Sequence, residues 1–148
     1  MKRSSARALP PAVLLDTCAV IWLANRAAIA DEALAKITHA ATAGGVFVSA
    51  ISAWEIGLLS RAKSGRAVAF LPDPTTWFAR LMAAPGIRPA PFTAEIAIAA
   101  SHLPEPLHGD PADRLLIATA RHISMPIVTR DSRILEYAEA GQVAAIAC

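Results

Sequence analysis

The stretch that decides the fold is Val13–Cys18, which reads VLLDTC, a short apolar run that ends in a single carboxylate. An apolar run of this length is typical of a strand that is buried on both faces of a parallel sheet. The carboxylate of Asp16 must then be hydrogen-bonded, paired or used, because an unpaired charge in such a place is unfavourable. The stretch therefore predicts a buried strand and a candidate functional group at its end.

Further strands and helices alternate along the rest of the chain. Short apolar runs predict strands, and apolar residues that repeat every three or four positions predict helices. The predicted strands are residues 12–16, 46–48, 87–91, 126–129 and 143–147. The predicted helices are 17–25, 31–43, 49–61, 75–84, 93–101, 110–124 and 131–140, with a turn at 64–66. This order predicts the α/β class, with a mostly parallel central sheet covered by helices on both faces.

The composition favours one folded domain. The chain has 148 residues, of which 55% are hydrophobic and 18% are charged, so a full core is available. The formal net charge of +2 is too small to indicate nucleic-acid binding by itself. We expect residues 1–11, a basic segment that ends in Pro10 and Pro11, to form a loose, flexible arm. Residues 12–148 are expected to form the single domain.

The cysteines and the apolar runs bear on the compartment. Cys18 and Cys148 are the only cysteines, and their spacing fits neither a disulfide framework nor a metal motif, which indicates a reducing environment. No uninterrupted apolar run is long enough to span a bilayer. The basic start resembles a signal peptide only superficially, because Asp16 interrupts the apolar run that follows it. We expect a cytoplasmic protein without a membrane partner.

Asp16 and Asp131 each follow a predicted strand, at the edge where parallel sheets place their working sites. Each also fits the N-cap of the next helix, and spacing alone does not decide between a cap and a functional acid. Thr17, Ser49 and Thr129 lie beside the same strand ends. Their hydroxyls either contribute to a site or satisfy local backbone groups.

Glu55 is the second kind of candidate, an acid within a helix. It lies three residues after Ser52, which fits a capping box. However, it also lies four residues after Ile51 and three and four residues before Leu58 and Leu59, on the apolar stripe of the helix. A carboxylate on a buried stripe is unfavourable unless it is paired or binds a cation, so this position favours function.

Asp113 follows the same reasoning on a later helix. It lies three and four residues before Leu116 and Ile117, so it is expected to face the sheet. The alternative is a first-turn acid that is favoured by the helix dipole. Asp110 is readily explained as the N-cap of a helix whose first residue is Pro111.

The chemistry of this acidic set points to a hard cation. Three or four carboxylates without histidine or cysteine ligands suit Mg²⁺, or Mn²⁺ as a substitute, and permit phosphodiester hydrolysis by activated water. The four histidines, His108 among them, have no metal-ligand spacing and are expected at the surface or in loops. The sequence contains no P-loop, GxGxxG or GxSxG. Candidate phosphate contacts, although most charge of this kind is solvated surface, are Arg114, Arg121, Arg130 and Arg133.

Four segments in order resemble one family: LLDTCAVIWL, VSAISAWEIGLL, LHGDPADRLLIATA and MPIVTRD. They resemble the PIN domain and, within it, the VapC-type toxins of bacterial toxin–antitoxin modules, and the resemblance covers the chain from about Ala12 to its end. It implies a small three-layer α/β/α domain and a Mg²⁺-dependent endoribonuclease that cleaves RNA. It also implies a homodimer and inhibition by a cognate antitoxin whose tail covers the active site.

The same resemblance assigns roles to individual acids. Asp16, Glu55 and Asp113 match the core acidic triad of the family, as catalytic residues and metal ligands. Asp131 matches the fourth acid, which is less uniform in such families, and Asp110 is at most auxiliary.

Two other classes of protein are weighed against the nuclease. One is a PIN-like module that binds RNA or a protein without cutting. The other is a phosphotransfer enzyme of the haloacid dehalogenase type, which also uses an aspartate after the first strand. That class needs a second aspartate two residues later, where this chain has Cys18, so the sequence counts against it.

Overall fold

A five-stranded sheet forms the centre of the protein in the computed structural model, which describes residues 10–61 and 69–148. The strands are β1 (Ala12–Leu15), β2 (Gly45–Val48), β3 (Ile87–Pro89), β4 (Ile127–Thr129) and β5 (Ala145–Ala147). They pair in the order β3-β2-β1-β4-β5, and every pair is parallel. The predicted parallel sheet is confirmed, and β3 with its proline lies at an edge, as predicted. The predicted turn at 64–66 and residues 1–9 of the predicted arm lie outside the described residues.

Seven helices connect the strands in the described part of the chain, in the order predicted. They are α1 (Thr17–Ala24), α2 (Asp31–Ala41), α3 (Ala50–Ser60), α4 (Pro74–Met82), α5 (Ala94–Ser101), α6 (Pro111–His122) and α7 (Ser132–Glu139). Proline is the first residue of both α4 and α6, where its missing N–H leaves no bond unmade. None of the described helices is long and apolar enough to cross a membrane.

Residues of the strands alternate between two hydrophobic cores, one on each face of the sheet. Val13 and Leu15 of β1 belong to the cluster that also contains Ile37 of α2 and Ile56 of α3. Leu14, between them, belongs to the cluster on the other face, with helices α5, α6 and α7. Because successive side chains of a strand point to opposite faces, one buried strand supports both cores. The three-layer α/β/α fold is therefore confirmed.

The point where the strand order reverses lies between β1 and β4. The chain proceeds from β1 to β2 and β3 on one side of the sheet, and then returns to place β4 and β5 on the other side. In open α/β sheets the crevice beyond the carboxyl ends of the strands at such a point is the usual ligand site. Asp16 is the first residue after β1 and Asp131 is the second residue after β4, so both lie at this crevice.

The start of α3 differs from the capping box that Ser52 and Glu55 suggested in the sequence. The N-cap is Ser49, whose side chain accepts a hydrogen bond of 3.0 Å from the backbone N–H of Ile51. Ser52 is therefore inside the helix and fully buried, and the capping box of Ser52 and Glu55 is wrong. At the start of the chain, the carbonyl of Pro11 accepts a hydrogen bond of 2.7 Å from the N–H of Gly44, which ties the entry to β1 to the loop before β2.

Candidate active site

All four predicted acids line one pocket at the reversal point of the sheet. The pocket has a volume of about 570 Å³, and Asp16, Glu55, Asp113 and Asp131 contribute to its wall, together with Asp110. A larger cavity of about 760 Å³ lies around Pro11 and Met125, at the start of β1 and β4, but no acidic residue is among those that line it. The chemistry of the lining, and not the size of the cavity, therefore marks the smaller pocket as the candidate site.

Asp16 is both a cap and a wall of the pocket. Its Oδ1 accepts a hydrogen bond of 2.6 Å from the backbone N–H of Thr17, at the start of α1. Its Oδ2 accepts a hydrogen bond of 2.7 Å from the hydroxyl of Thr129. Burial raises the pKa of Asp16 to about 6, against the hydrogen bond from Thr129, and the negative charge of Asp113 raises it further. Asp16 is thus the N-cap of α1 and also lines the candidate site, so the two alternatives considered for it in the sequence do not exclude each other.

Glu55 is held by a short relay of hydroxyls. The hydroxyl of Thr17 donates to Oε1 of Glu55 over 2.5 Å, and it lies 2.9 Å from the hydroxyl of Ser52. Because the single proton of Thr17 goes to the carboxylate, Ser52 is the donor to Thr17. Burial raises the pKa of Glu55, and the charges of Asp113 and Asp110 act in the same direction. Glu55 itself is only partly buried, so its helical stripe forms a pocket wall.

Asp113 is the second buried acid of the pocket, in the first turn of α6. Its backbone N–H donates to the side chain of the N-cap residue Asp110 over 3.0 Å, as expected for Asp110. Its Oδ2 lies 2.7 Å from Nε2 of His108. Burial raises the pKa of Asp113 in spite of the hydrogen bond to His108, and the charges of Asp110 and Asp131 raise it further.

Asp131 differs from the other three acids because its oxygens already have several partners. Oδ1 accepts hydrogen bonds from the backbone N–H groups of Arg133 and Ile134, which makes Asp131 the N-cap of α7. Oδ2 lies 3.2 Å from a guanidinium nitrogen of Arg133, and the same nitrogen lies 3.7 Å from Oδ2 of Asp113. Burial acts to raise the pKa of Asp131, but the hydrogen bonds from Arg133 and Ile134 outweigh it and lower the pKa.

Only two of the four candidate arginines lie at the pocket. Arg130 and Arg133 line it. The guanidinium of Arg130 lies 3.6 Å from the ring centroid of Trp22, and it donates to the carbonyls of Cys148 and Ala28. Arg114 instead donates to the carbonyls of Ala100 and His108, and Arg121 donates to the carbonyl of Gln142. Arg114 and Arg121, which the sequence offered as candidate phosphate contacts, therefore do not line the acidic pocket.

Cys18 is exposed at the rim of the same pocket. Desolvation of its thiol raises the pKa to about 11, and the charges of Asp16, Glu55 and Asp113 add to this effect. The thiol is therefore protonated at neutral pH and is a poor nucleophile. This agrees with the absence of any serine or cysteine nucleophile motif in the sequence.

The acidic set fits a hard divalent cation by its chemistry. The pKa values of Asp16, Glu55 and Asp113 are each raised partly by the charge of another carboxylate of the pocket, and a cation would relieve this repulsion. In the rotamers of this structure, the described residues include no group of three His, Cys, Asp or Glu side chains positioned to hold a metal ion. The carboxylates are instead held by hydroxyls, His108 and Arg133.

Two residues of the site were not recognised in the sequence. His108 was expected only at the surface or in a loop, and it contacts Asp113 because the loop before α6 folds back onto that helix. No spacing rule predicts that path. Ser52 was assigned to a cap, although its position one turn before Glu55 on the same helix places the two side chains on one face.

Comparison with known proteins shows that the chain belongs to the PIN domain family. The family model of the PIN domain matches residues 13–140. Among curated relatives, the protein named ribonuclease VapC22 of Mycobacterium tuberculosis is 35% identical over 123 residues, which is 82% of this chain and 88% of that protein. The predicted family is therefore confirmed.

Solved structures support the same fold. VapBC2 from Rickettsia felis, bound to a DNA fragment from its promoter, matches with a TM-score of 0.62 and 12% identity, over 92% of this chain and 98% of that one. FitAcB from Neisseria gonorrhoeae matches with a TM-score of 0.52 and 22% identity, over 90% and 96%. FitAB bound to an IR36 DNA fragment matches with a TM-score of 0.56 and 21% identity, over 91% and 94%. At these identities the likeness concerns the fold alone.

Proposed function

We propose that this protein is a Mg²⁺-dependent endoribonuclease that hydrolyses RNA phosphodiester bonds and acts as a toxin under the control of a cognate antitoxin. The observation that carries this proposal is the meeting of Asp16, Glu55 and Asp113 in one pocket at the reversal point of a PIN-domain sheet. The three acids come from the end of β1 and from two helices. The name of the curated relative, a ribonuclease, supports RNA as the substrate.

The cation in this proposal is Mg²⁺, with Mn²⁺ as a substitute. Asp16, Glu55 and Asp113 would hold it, and Asp131 is the fourth acid at the same site. Carboxylate oxygens are the ligands that these hard cations prefer. Such a cation supplies an activated water for attack on phosphorus and neutralises charge on the phosphate.

The other groups of the pocket prepare the acids and receive the substrate. Thr129 and Thr17 donate to Asp16 and Glu55, and these bonds favour the ionised carboxylates against the effect of burial, which raises both pKa values. Arg133 is 54% exposed in its side chain, and Arg130 lines the same pocket. Both are suited to contact the phosphates of an RNA strand, which positions the strand without reading its bases.

Control by an antitoxin and assembly as a homodimer come from the resemblance to VapC-type toxins. Trp54 and Leu58 of α3 are 55% and 41% exposed, and Leu58 also lines the acidic pocket. Exposed apolar side chains beside an active site are suited to a protein partner that covers it. The neighbours named VapBC2 and FitAB support a paired system. Action on cellular RNA places the protein in the cytoplasm.

Replacement of single acids tests the proposal. Asp16→Asn and Asp113→Asn should each abolish Mg²⁺-dependent cleavage of RNA by the purified protein, while circular dichroism shows a retained fold. Asp73→Asn is the matched control, because Asp73 is an exposed N-cap of α4 that does not line the pocket, and asparagine caps equally well. Cleavage at the wild-type rate by both pocket variants would remove the site assignment.

A PIN-like module that binds RNA or protein without cutting is the second candidate. It is favoured by the internal partners of the carboxylates and by the lack of a group of three ligands arranged for a metal among the described residues. Calorimetry with Mn²⁺, on the purified chain without its antitoxin, separates the two candidates. Binding with loss in Asp16→Asn supports the nuclease, and a wild-type protein that binds no Mn²⁺ supports the module.

A further inference from the structure

His108 contacts Asp113, a buried acid of the site, from outside the helix that carries this acid. Its Nε2 lies 2.7 Å from Oδ2 of Asp113, and the exposed fractions of the two side chains are 14% and 12%. His108 belongs to the loop between α5 and α6, whereas Asp113 lies in the first turn of α6. The loop therefore supplies a hydrogen-bond partner for the side chain of Asp113 in α6.

The direction of this hydrogen bond follows from the other ring nitrogen. Nδ1 of His108 is buried and has no hydrogen-bond partner among the described residues. A proton on Nδ1 would be buried without an acceptor, whereas the ionised carboxylate at Nε2 only accepts. The hydrogen-bond network thus assigns the Nε2–H tautomer, in which His108 donates to Asp113.

Other hydrogen bonds also hold the loop between α5 and α6. Arg114, which donates from Nε to the carbonyl of Ala100 in α5, donates from a terminal nitrogen to the carbonyl of His108 over 3.4 Å. The hydroxyl of Tyr137 donates to the carbonyl of Pro104 over 2.7 Å. Because the loop is anchored at these other points, the main effect of the His108 side chain is on the carboxylate that it contacts.

We infer that His108 is a positioning residue, which holds Oδ2 of Asp113 and so leaves the second oxygen of that carboxylate to face a cation in the pocket. The inference rests on the proposed function, since it concerns the alignment of a metal ligand. A group that hydrogen-bonds a ligating carboxylate orients it, and loss of such a group commonly lowers metal affinity by roughly ten- to a hundredfold.

A pair of amide variants tests the donor role. In His108→Gln the amide nitrogen is as many bonds from Cα as Nε2, so it can still reach Asp113. In His108→Asn the nitrogen corresponds to Nδ1 and falls short. We expect Mn²⁺ affinity, measured by calorimetry, to fall roughly ten- to a hundredfold in His108→Asn and to stay close to wild type in His108→Gln. His102→Asn is the control, since His102 is exposed and, within the described part of the chain, its ring bonds to Ser101 and the Ile98 carbonyl and not to an acid of the site.

Two results would overturn the inference. Wild-type Mn²⁺ affinity in both variants would mean that the Asp113 carboxylate needs no hydrogen-bond donor. Equally weakened affinity in both would mean that packing of the imidazole ring, and not its hydrogen bond, supports Mn²⁺ binding. A second measurement does not depend on the metal: long-range ¹H–¹⁵N NMR in EDTA should show His108 as the Nε2–H tautomer, and the Nδ1–H tautomer would also overturn it. If wild-type protein binds no Mn²⁺, the proposed function fails, and the NMR result alone decides whether His108 donates to Asp113.

Discussion

Thr129 and Asp16 are 113 positions apart in the chain, yet the hydroxyl of Thr129 donates a buried hydrogen bond of 2.7 Å to Oδ2 of Asp16. The two residues meet because β1 and β4 are neighbouring parallel strands, so their carboxyl ends lie side by side. The hydroxyl of Thr129 also accepts a hydrogen bond of 3.0 Å from the backbone N–H of Asp131. One side chain thus connects two of the four acids.

Replacement of Thr129 by valine should destabilise the metal-free protein. Valine keeps the shape but removes the donor to a buried carboxylate, and hydrogen bonds to charged groups contribute about 1–3 kcal/mol. We expect a loss of that size in the free energy of unfolding at pH 8, measured by urea denaturation in EDTA. Thr129→Ser keeps the hydroxyl and serves as the control. Equal losses in the two variants would assign the effect to packing.

The stability of the metal-free protein should depend on the ionisation of Asp16. Burial raises its pKa from 3.8 to about 6 in the folded protein, so the folded state retains a proton that the unfolded state has released. The contribution of Asp16 is therefore most favourable below about pH 4 and is lost as the pH rises through 6. The shift corresponds to about 3 kcal/mol. The expected observation is a difference in stability between the wild type and Asp16→Asn that changes by about this amount between pH 4 and 7 in EDTA.

Mg²⁺ provides an independent check of that pH dependence. A cation binds the ionised carboxylate, so added Mg²⁺ should raise the melting temperature more at pH 8 than at pH 5. Asp16→Asn should lose most of this increase. If the difference in stability between the wild type and Asp16→Asn in EDTA stayed constant from pH 4 to 7, the raised pKa of Asp16 would be contradicted.

Removal of the guanidinium of Arg133 should make the acidic pocket a better cation site. Arg133 lies 3.2 Å from Asp131 and 3.7 Å from Asp113, so it offsets part of their charge when no metal is bound. In Arg133→Gln we expect a lower melting temperature in EDTA and an affinity for Mn²⁺ that is about two- to fivefold higher, as for an exposed ion pair. Lys36→Gln removes the same charge from a surface pair with Glu32 and should change neither. Unchanged Mn²⁺ affinity with weaker RNA binding would assign Arg133 to the substrate alone.

Truncation of a side chain in the hydrophobic core should lower the free energy of unfolding far more than the same truncation at the surface. Ile117 of α6 is fully buried, whereas Ile98 of α5 is 63% exposed. Ile117→Ala should therefore lower the free energy of unfolding by about 2–5 kcal/mol, because it leaves a cavity. Ile98→Ala should change it by less than about 0.5 kcal/mol. Urea denaturation of both variants measures the contrast, and similar losses would contradict the assignment of α6 to the core.

Much of the fold followed from local patterns. The VLLDTC stretch predicted a buried strand, and Leu14 and Leu15 are fully buried in β1. Periodicity located the seven helices of the described residues to within a few residues, because the apolar side chains of each pack, fully or partly buried, against a core. The sequence also predicted that the acids lie close together, since the carboxyl ends of parallel strands share one edge of the sheet. Helix caps were harder to predict from the sequence. Asp110 was correctly assigned as the N-cap of α6. For α3, the sequence suggested a capping box of Ser52 and Glu55, but the structure begins the helix at the Ser49 cap.

The sequence by itself determined the α/β class, the buried strand that ends at Asp16 and the set of carboxylates around it, because periodicity and strand ends are local properties. Only the tertiary structure decided what each carboxylate contacts. Thr129 meets Asp16 and His108 meets Asp113 through segments whose paths depend on packing of the whole domain. The engagement of Asp131 by Arg133 likewise depends on rotamers. Residue spacing carries no record of these contacts, because each depends on strand pairing, on the path of a loop or on the side-chain conformation that packing allows.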